Sequence, residues 1–354
     1  MVEWPAAGLG QMYQLIDNLP EQLMASGQLA GLETVKPAKA TVKRIVLCGM
    51  GGSAIAGDLV QPLIQRGNIS LTVWRDYSLP HWVCSDDLIL CCSYSGNTEE
   101  SLSAARLAGE RGCDRVAITS GGQLAELAAS DHFPCITLPG GLPPRASLGY
   151  GLGALLRVLT RLGVSPEAES EIVPIVEHLR AHNALRQKPM RDDDPPQDDG
   201  EGNISPGLLA VALTGRVPVL YTAGHETHAV GVRWKAQLNE NSKVPTCVAA
   251  FPELDHNDLV GWCLDKPLRE KFVLIFLRGK DDNERVARRV EITRELLENE
   301  FAEIHEIRAT GATPLERVMS LVQYGDYLSC HLARLNGVDP VPVDRITKLK
   351  NALG

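Results

Sequence analysis

"LILCCSYSGNTEESL", residues 88–102, passes from five apolar residues into a turn bearing Ser93, Ser95 and Thr98, and then into a segment that suits a helix. A short, continuously apolar run ended by a glycine-containing turn reads as a strand buried on both faces. The same strand–turn–helix grammar recurs on either side of it. RIVLCGMGGSAIAGDLVQPLI (44–64) is an apolar run, a glycine cluster and a helical pattern. LTVWRDY (71–77), RVAITSGG (115–122) and FPCITLPGG (133–141) supply further strands, and residues 149–188 carry a helical pattern. Upstream, Leu15, Ile16, Leu19, Leu23 and Leu29 predict an opening helix over 12–30, interrupted near Pro20.

An acidic, Pro/Gly-rich stretch at 191–206 reads as a solvated linker. Beyond it the alternation resumes. RVPVLYTAG (216–224) is followed by a helix over about 226–240, VPTCVAAF (244–251) by a helix from about 257, and KFVLIFLRG (271–279) by a helix to about 300. A strand at IHEI (304–307) and a helix over 314–335 complete the pattern. Strands alternating with helices predict the α/β class: two doubly wound domains, each a parallel sheet flanked by helices, at 1–190 and 207–354.

The 354 residues carry a formal charge of −9, which argues against nucleic acid or an anionic membrane as the main partner. No run of 18 apolar residues occurs, and the N-terminus has neither a basic region nor an apolar core of signal-peptide type. The nine cysteines form no CxxC pair and no zinc spacing, and several lie inside apolar runs. That usage fits a reducing compartment, and a cytoplasmic protein is expected.

GMGGSA (49–54) satisfies the loose G-x-G-x-x-A pattern of dinucleotide sites, with Arg75-Asp76 at the end of the next strand. Any strand-to-helix turn that approaches a phosphate wants glycines, however. The second turn separates the readings. A nicotinamide cofactor needs no Ser-x-Ser-x-x-Thr at a neighbouring strand end. A phosphate monoester offers several acceptor oxygens in a small volume, which short hydroxyls and helix N-terminal N–H groups satisfy. Helix capping ahead of Glu99 and Glu100 accounts for one hydroxyl, Ser95 or Thr98, but not for three.

With these turns in hand, the sequence resembles sugar isomerase (SIS) domains, which bind phosphosugars through a hydroxyl-rich turn. GMGGSAIAGD (49–58), SYSGNTEESL (93–102), PPRASLGYGLG (143–153), WKAQLNENSKVP (234–245), ELDHND (253–258) and VDPVPVDRITKLKNAL (338–353) together resemble the bifunctional phosphoglucose/phosphomannose isomerases, as does MYQLIDNLPEQL (12–23). The resemblance implies two SIS domains, a homodimer, no cofactor and no metal. The implied reaction interconverts glucose 6-phosphate or mannose 6-phosphate with fructose 6-phosphate. By position it implies that Gly51, Gly52, Ser53, Ser93, Ser95 and Thr98 bind the phosphosugar. Glu240 would be the base, Arg145 would lie beside the reacting carbons, His256 would open the ring, and Lys350, with Lys348 as competitor, would assist it.

The residues suit these roles. Val230, Trp234 and Leu238 recur one turn apart, placing Glu240 in the last turn of an amphipathic helix. A carboxylate at the negative end of a helix is a better proton acceptor. His256 precedes a predicted helix start with Asn257 and Asp258 as capping residues. Arg145 follows Pro143-Pro144 in a stiffened loop, which suits a pre-positioned donor to a developing oxyanion. Three other readings compete. A non-catalytic phosphosugar sensor would not need Glu240, a dinucleotide-dependent oxidoreductase would bind NAD or NADP, and a glucosamine synthase would require a glutaminase domain with an N-terminal cysteine.

Overall fold

The computed structural model describes residues 8–64, 67–188, 198 and 202–353, with the His225 side chain left aside. Apart from Asp198 and residues 202–206, the expected acidic linker lies outside the described residues. The chain forms two compact units. One is Asn18–Arg180 with Thr313–Glu316, and the other joins the segment through Asp17 to Ala181–Ala312 and Arg317–Gly354.

Two helices open the chain, α1 (Leu9–Asp17) and α2 (Leu19–Ala25). The expected interruption falls at Asn18, and Pro20 sits in the first turn of α2, where its missing N–H costs nothing. The first unit then carries a five-stranded parallel sheet of β1 (Arg44–Gly49), β2 (Ser70–Trp74), β3 (Leu88–Cys92), β4 (Asp114–Thr119) and β5 (Cys135–Thr137), in the order β2-β1-β3-β4-β5. Its connections run through α3 (Gly51–Leu59), α4 (Gln61–Ile64), α5 (Glu99–Glu110) and α6 (Gly122–Ser130). All five residues of β3 are buried, the signature of a strand covered on both faces. Val46, Cys48, Ile89 and Cys91 pack with Leu102, Ala105 and Leu124 of α5 and α6 into one continuous core. Burial raises the Cys91 thiol to about 12, as expected of a cysteine acting as a small hydrophobe.

The helical pattern predicted for 149–188 is two helices, α7 (Leu148–Arg161) and α8 (Ile172–Arg186). Gly163, at φ +73°, ends the first in a left-handed turn that an uninterrupted helix cannot accommodate.

The second unit repeats the architecture with α9 (Pro206–Ala212), β6 (Val217–Thr222), α10 (His225–Gln237), β7 (Cys247–Ala250), α11 (Lys266–Arg269), β8 (Phe272–Arg278), α12 (Glu284–Leu296), β9 (Glu303–Arg308), α13 (Pro314–Leu335) and α14 (Asp344–Leu353). Its parallel sheet has the order β7-β6-β8-β9. Where one helix was expected from about 257, there are short 3₁₀ turns at Glu253–His256 and Asp258–Gly261 and the single turn of α11. Gly261 and Pro267 divide that segment too finely for a longer helix. Both units therefore have the predicted α/β form. No helix among the described residues is long and apolar enough to cross a membrane.

Two buried polar clusters tie helices together inside the second unit. Arg233 of α10 reaches Asp326 of α13 through two hydrogen bonds of 3.1 and 2.7 Å, and Gln237 donates to the same carboxylate at 2.7 Å. His331 of α13, also fully buried, has Nε2 2.8 Å from the Arg186 carbonyl and Nδ1 2.7 Å from the Tyr13 hydroxyl. A carbonyl only accepts, so Nε2 carries the proton and Nδ1 accepts from the tyrosine. Burial pushes the imidazole down to about 4, from an ordinary 6.5. Its neutral form therefore stabilises the fold fully above pH 6.5, and that contribution is lost as pH falls towards 4. The loss is expected to reach roughly 3 kcal/mol. Urea unfolding at pH 7 and pH 4.5 checks this, because His331→Gln is expected to reduce the difference between the two.

Candidate active site

In the first sheet β1 lies between β2 and β3, so the crossovers leave β1 in opposite directions. The carboxyl ends of β1 and β3 then face a crevice of the kind in which open α/β sheets bind ligands. Both hydroxyl-bearing turns open there. At the end of β1, Gly51 takes a φ of +47°, and Ser53 lies in the first turn of α3. A Cβ on Gly52 would stand 2.9 Å from the Pro144 carbonyl oxygen and 3.2 Å from the Arg145 nitrogen. Only glycine allows the loop of Arg145 to lie this close to the turn after β1. Arg145 itself is buried, although a surface cation is the commoner fate of a loop arginine.

The second turn locks onto the first. The Tyr94 N–H donates to Ser53 Oγ at 2.9 Å, Ser93 Oγ donates to Thr98 Oγ1 at 2.9 Å, and the Asn97 N–H donates to Ser95 Oγ at 3.2 Å. Ser53, Ser95 and Thr98 thus each accept one hydrogen bond from the protein, which leaves their own O–H to donate to a ligand. Thr98 occupies the N-cap position of the 12-residue α5, yet its side chain makes no capping bond. Capping therefore does not account for the threonine. Three donor hydroxyls beside a helix N-terminus suit an anion with several oxygens.

The equivalent crevice of the second sheet has a different lining. A cavity of about 570 Å³ there is bordered by Glu226, Glu253, Asp281 and Asp282. Asp282 is ion-paired with Arg278 and Asp281 with Arg317, so this lining of paired carboxylates differs from the hydroxyl turns of the first crevice.

Glu240, His256 and Lys350 belong to the second unit. Glu240 does not end an α-helix as expected. It sits in a π-helical turn, Leu238–Ser242, closed by Lys243 at φ +60°. The turn is held to α13, for Asn241 Nδ2 donates to Ser329 Oγ at 2.9 Å and Ser242 Oγ donates to the Ser329 carbonyl at 2.7 Å. Both residues are buried, whereas the Glu240 side chain is half-buried. His256 is exposed at the end of its 3₁₀ turn. Asn257 caps the following turn through Asp258 N–H, as expected, but that turn is 3₁₀. Asp255, next to His256, is engaged by Arg289 at 2.6 Å. Lys348 and Lys350 are exposed on α14.

Comparison with known proteins follows the same division. Residues 40–136 match the SIS domain model, and residues 206–353 match the bacterial phospho-glucose isomerase C-terminal SIS domain. A bifunctional phosphoglucose/phosphomannose isomerase of Caldicellulosiruptor bescii is 36% identical over 343 residues, 97% of this chain and 98% of the relative. The chain belongs to the bifunctional phosphoglucose/phosphomannose isomerase family. A member from Aquifex aeolicus is 36% identical over 88% of this chain and 90% of its own. Among solved structures, a tagatose-6-phosphate ketose/aldose isomerase from Escherichia coli shares the fold with a TM-score of 0.66 at 14% identity, covering 94% of each chain. A glucose-6-phosphate isomerase like protein from Thermus thermophilus does so with 0.56 at 18%, covering 99% of each.

For this family member, sequence reasoning overlooked several residues around the candidate site. Ser120, at the end of β4, donates through both N–H and Oγ to the Tyr94 carbonyl, at 2.9 and 2.6 Å. Its TSGG turn was legible as a third hydroxyl–glycine element. Lys243 was also overlooked, and its Nζ donates to the carbonyls of Glu240 and Pro342 at 2.5 and 2.6 Å. It thereby anchors the start of the tail that carries α14. In Lys243→Met, amide exchange over residues 338–353 is expected to accelerate about tenfold, the effect of losing one charge-assisted hydrogen bond. Unchanged exchange measured by mass spectrometry would mean that the tail is held by other contacts.

Proposed function

We propose that this chain interconverts glucose 6-phosphate and mannose 6-phosphate with fructose 6-phosphate by moving a proton between C1 and C2 through an enediolate. The cradle of Ser53, Ser95 and Thr98 hydroxyls at the first sheet's switch point carries this reading, because it suits a phosphate monoester and nothing in it serves a nicotinamide. Family membership supports the isomerase class. Ser53, Ser95 and Thr98, with the backbone at Gly51 and Gly52, hold the phosphate end of the sugar, and Ser93 contributes by donating to Thr98 and orienting its hydroxyl.

Glu240 is the base. It takes the C2 proton of either aldose and returns a proton to C1, and the reverse transfer regenerates the aldose. Glucose and mannose 6-phosphates differ only at C2, so they share one enediolate, and the face of reprotonation decides which is made. The π-helical turn favours this role, since such turns occur frequently at functional sites. Arg145 supplies the fixed positive charge that stabilises the enediolate oxygen. His256 transfers the proton that opens the cyclic sugar, with Lys350 assisting. The proposed assembly is a cytoplasmic homodimer.

Turnover of fructose 6-phosphate, with both aldose phosphates followed separately and no metal added, tests the proposal. Wild type is expected to form both products, and Glu240→Gln to lower kcat by about 10²–10⁴-fold, the usual worth of a general base. If fructose 6-phosphate binds but neither aldose forms with wild type, the chain is a phosphosugar sensor.

A further inference from the structure

The segment Pro139–Ser147 carries Arg145 between β5 and α7, and its only regular element is the single turn Pro144–Ala146. Two buried side chains grip it from opposite ends. The Tyr94 hydroxyl donates to the Pro139 carbonyl at 2.7 Å and accepts from the Leu142 N–H at 3.0 Å. Gln22, from α2, donates through Nε2 to the Ala146 carbonyl at 2.9 Å and accepts through Oε1 from the Gly149 N–H at 3.1 Å. The amide orientation of Gln22 follows from its partners, because a carbonyl can only accept and an N–H can only donate. Gln22 is 3% exposed and Tyr94 8%, so water does not replace these bonds cheaply.

Tyr94 also belongs to the phosphate cradle. Its N–H binds Ser53 Oγ, and its carbonyl receives both donors of Ser120. Ser53, Tyr94 and Ser147 further line, with Gly52, a small cavity of about 20 Å³. One residue therefore ties the turn that would hold a sugar's phosphate to the loop that carries the cation. The phosphate lies at C6 and the reacting carbons at C1 and C2, so the spacing between cradle and guanidinium must match the length of the sugar.

We propose that Tyr94 and Gln22 are positioning residues that set Arg145 relative to the phosphate cradle, an inference that rests on the role of Arg145 proposed above. Neither needs to touch substrate. Their effect runs through Arg145 alone, because a cation displaced by about 1 Å loses much of its hold on the developing oxyanion.

Steady-state kinetics on Tyr94→Phe, Gln22→Met, Arg145→Ala and the two doubles with Arg145→Ala test this, with fructose 6-phosphate as substrate. Each positioning variant is expected to lower kcat by about tenfold or more, within the range known for misplaced catalytic groups, while KM changes little. In the Arg145→Ala background neither is expected to lower kcat further, since residues acting through one group are not additive. Wild-type kcat in both single variants, with Arg145→Ala impaired, overturns the positioning role alone. So do losses that multiply on top of Arg145→Ala, because they show a path that bypasses the arginine. Wild-type kcat in Arg145→Ala overturns the role of Arg145 and this inference with it. Tyr94→Phe deletes a single oxygen and carries the test by itself if Gln22→Met does not fold.

Discussion

The hydrogen bond from the Tyr94 N–H to Ser53 Oγ joins the two turns on which the candidate site depends. It crosses the point where the strand order of the first sheet reverses, the place in an open parallel sheet where adjacent loops diverge and leave a crevice. The bond keeps the crevice edges at a constant spacing and uses one lone pair of Ser53 while leaving its proton available. Ser95 and Thr98 are arranged by the same logic, each accepting from within the protein. These bonds hold the hydroxyls through the protein's own groups, and a preorganised arrangement lowers the ordering cost of binding.

A second constraint governs the other unit. The turn bearing Glu240 is fixed on one side by Arg233, Gln237 and Asp326, and on the other by Asn241 and Ser242 against Ser329. The Arg233–Asp326 pair is buried on both sides, and breaking such a pair costs about 3–5 kcal/mol because a charge is left without its partner. Rigid support of this kind lets a π-helical turn persist where a plain helix would be the lower-energy local choice. The two units share one architecture, yet their crevices differ, with hydroxyl-bearing turns at one and carboxylates, two of them ion-paired, bordering the other. Repetition of a fold thus does not imply repetition of a site.

Much of the fold was legible because the signals were local. Buried strands such as Leu88–Cys92 and Val217–Thr222 announce themselves by continuous apolarity, and their alternation with helices leaves few alternatives to a parallel sheet. The hydroxyl turns were legible because Ser-x-Ser-x-x-Thr compresses its chemistry into six residues. The failures were also local. Gly163 and Gly261 interrupt two segments that the surrounding periodicity presented as longer helices than they are. The pairing of Asp255 with Arg289, 34 residues away, has no local signal at all.

By itself, the sequence determined the α/β class, the two-fold repetition of the strand–helix pattern, the hydroxyl-bearing turns and the family. All of these follow from residues close together along the chain, where backbone preference and side-chain chemistry act within a few positions. Only the tertiary structure decided that Tyr94 bonds Ser53 across 41 residues, and that Gln22 clamps Gly149 across 127. It alone placed Lys243 against Pro342, 99 residues on. Which distant donor meets which acceptor depends on strand order and on how helices settle against the sheet. That outcome is set by the packing of the whole core, and no short stretch of sequence contains it.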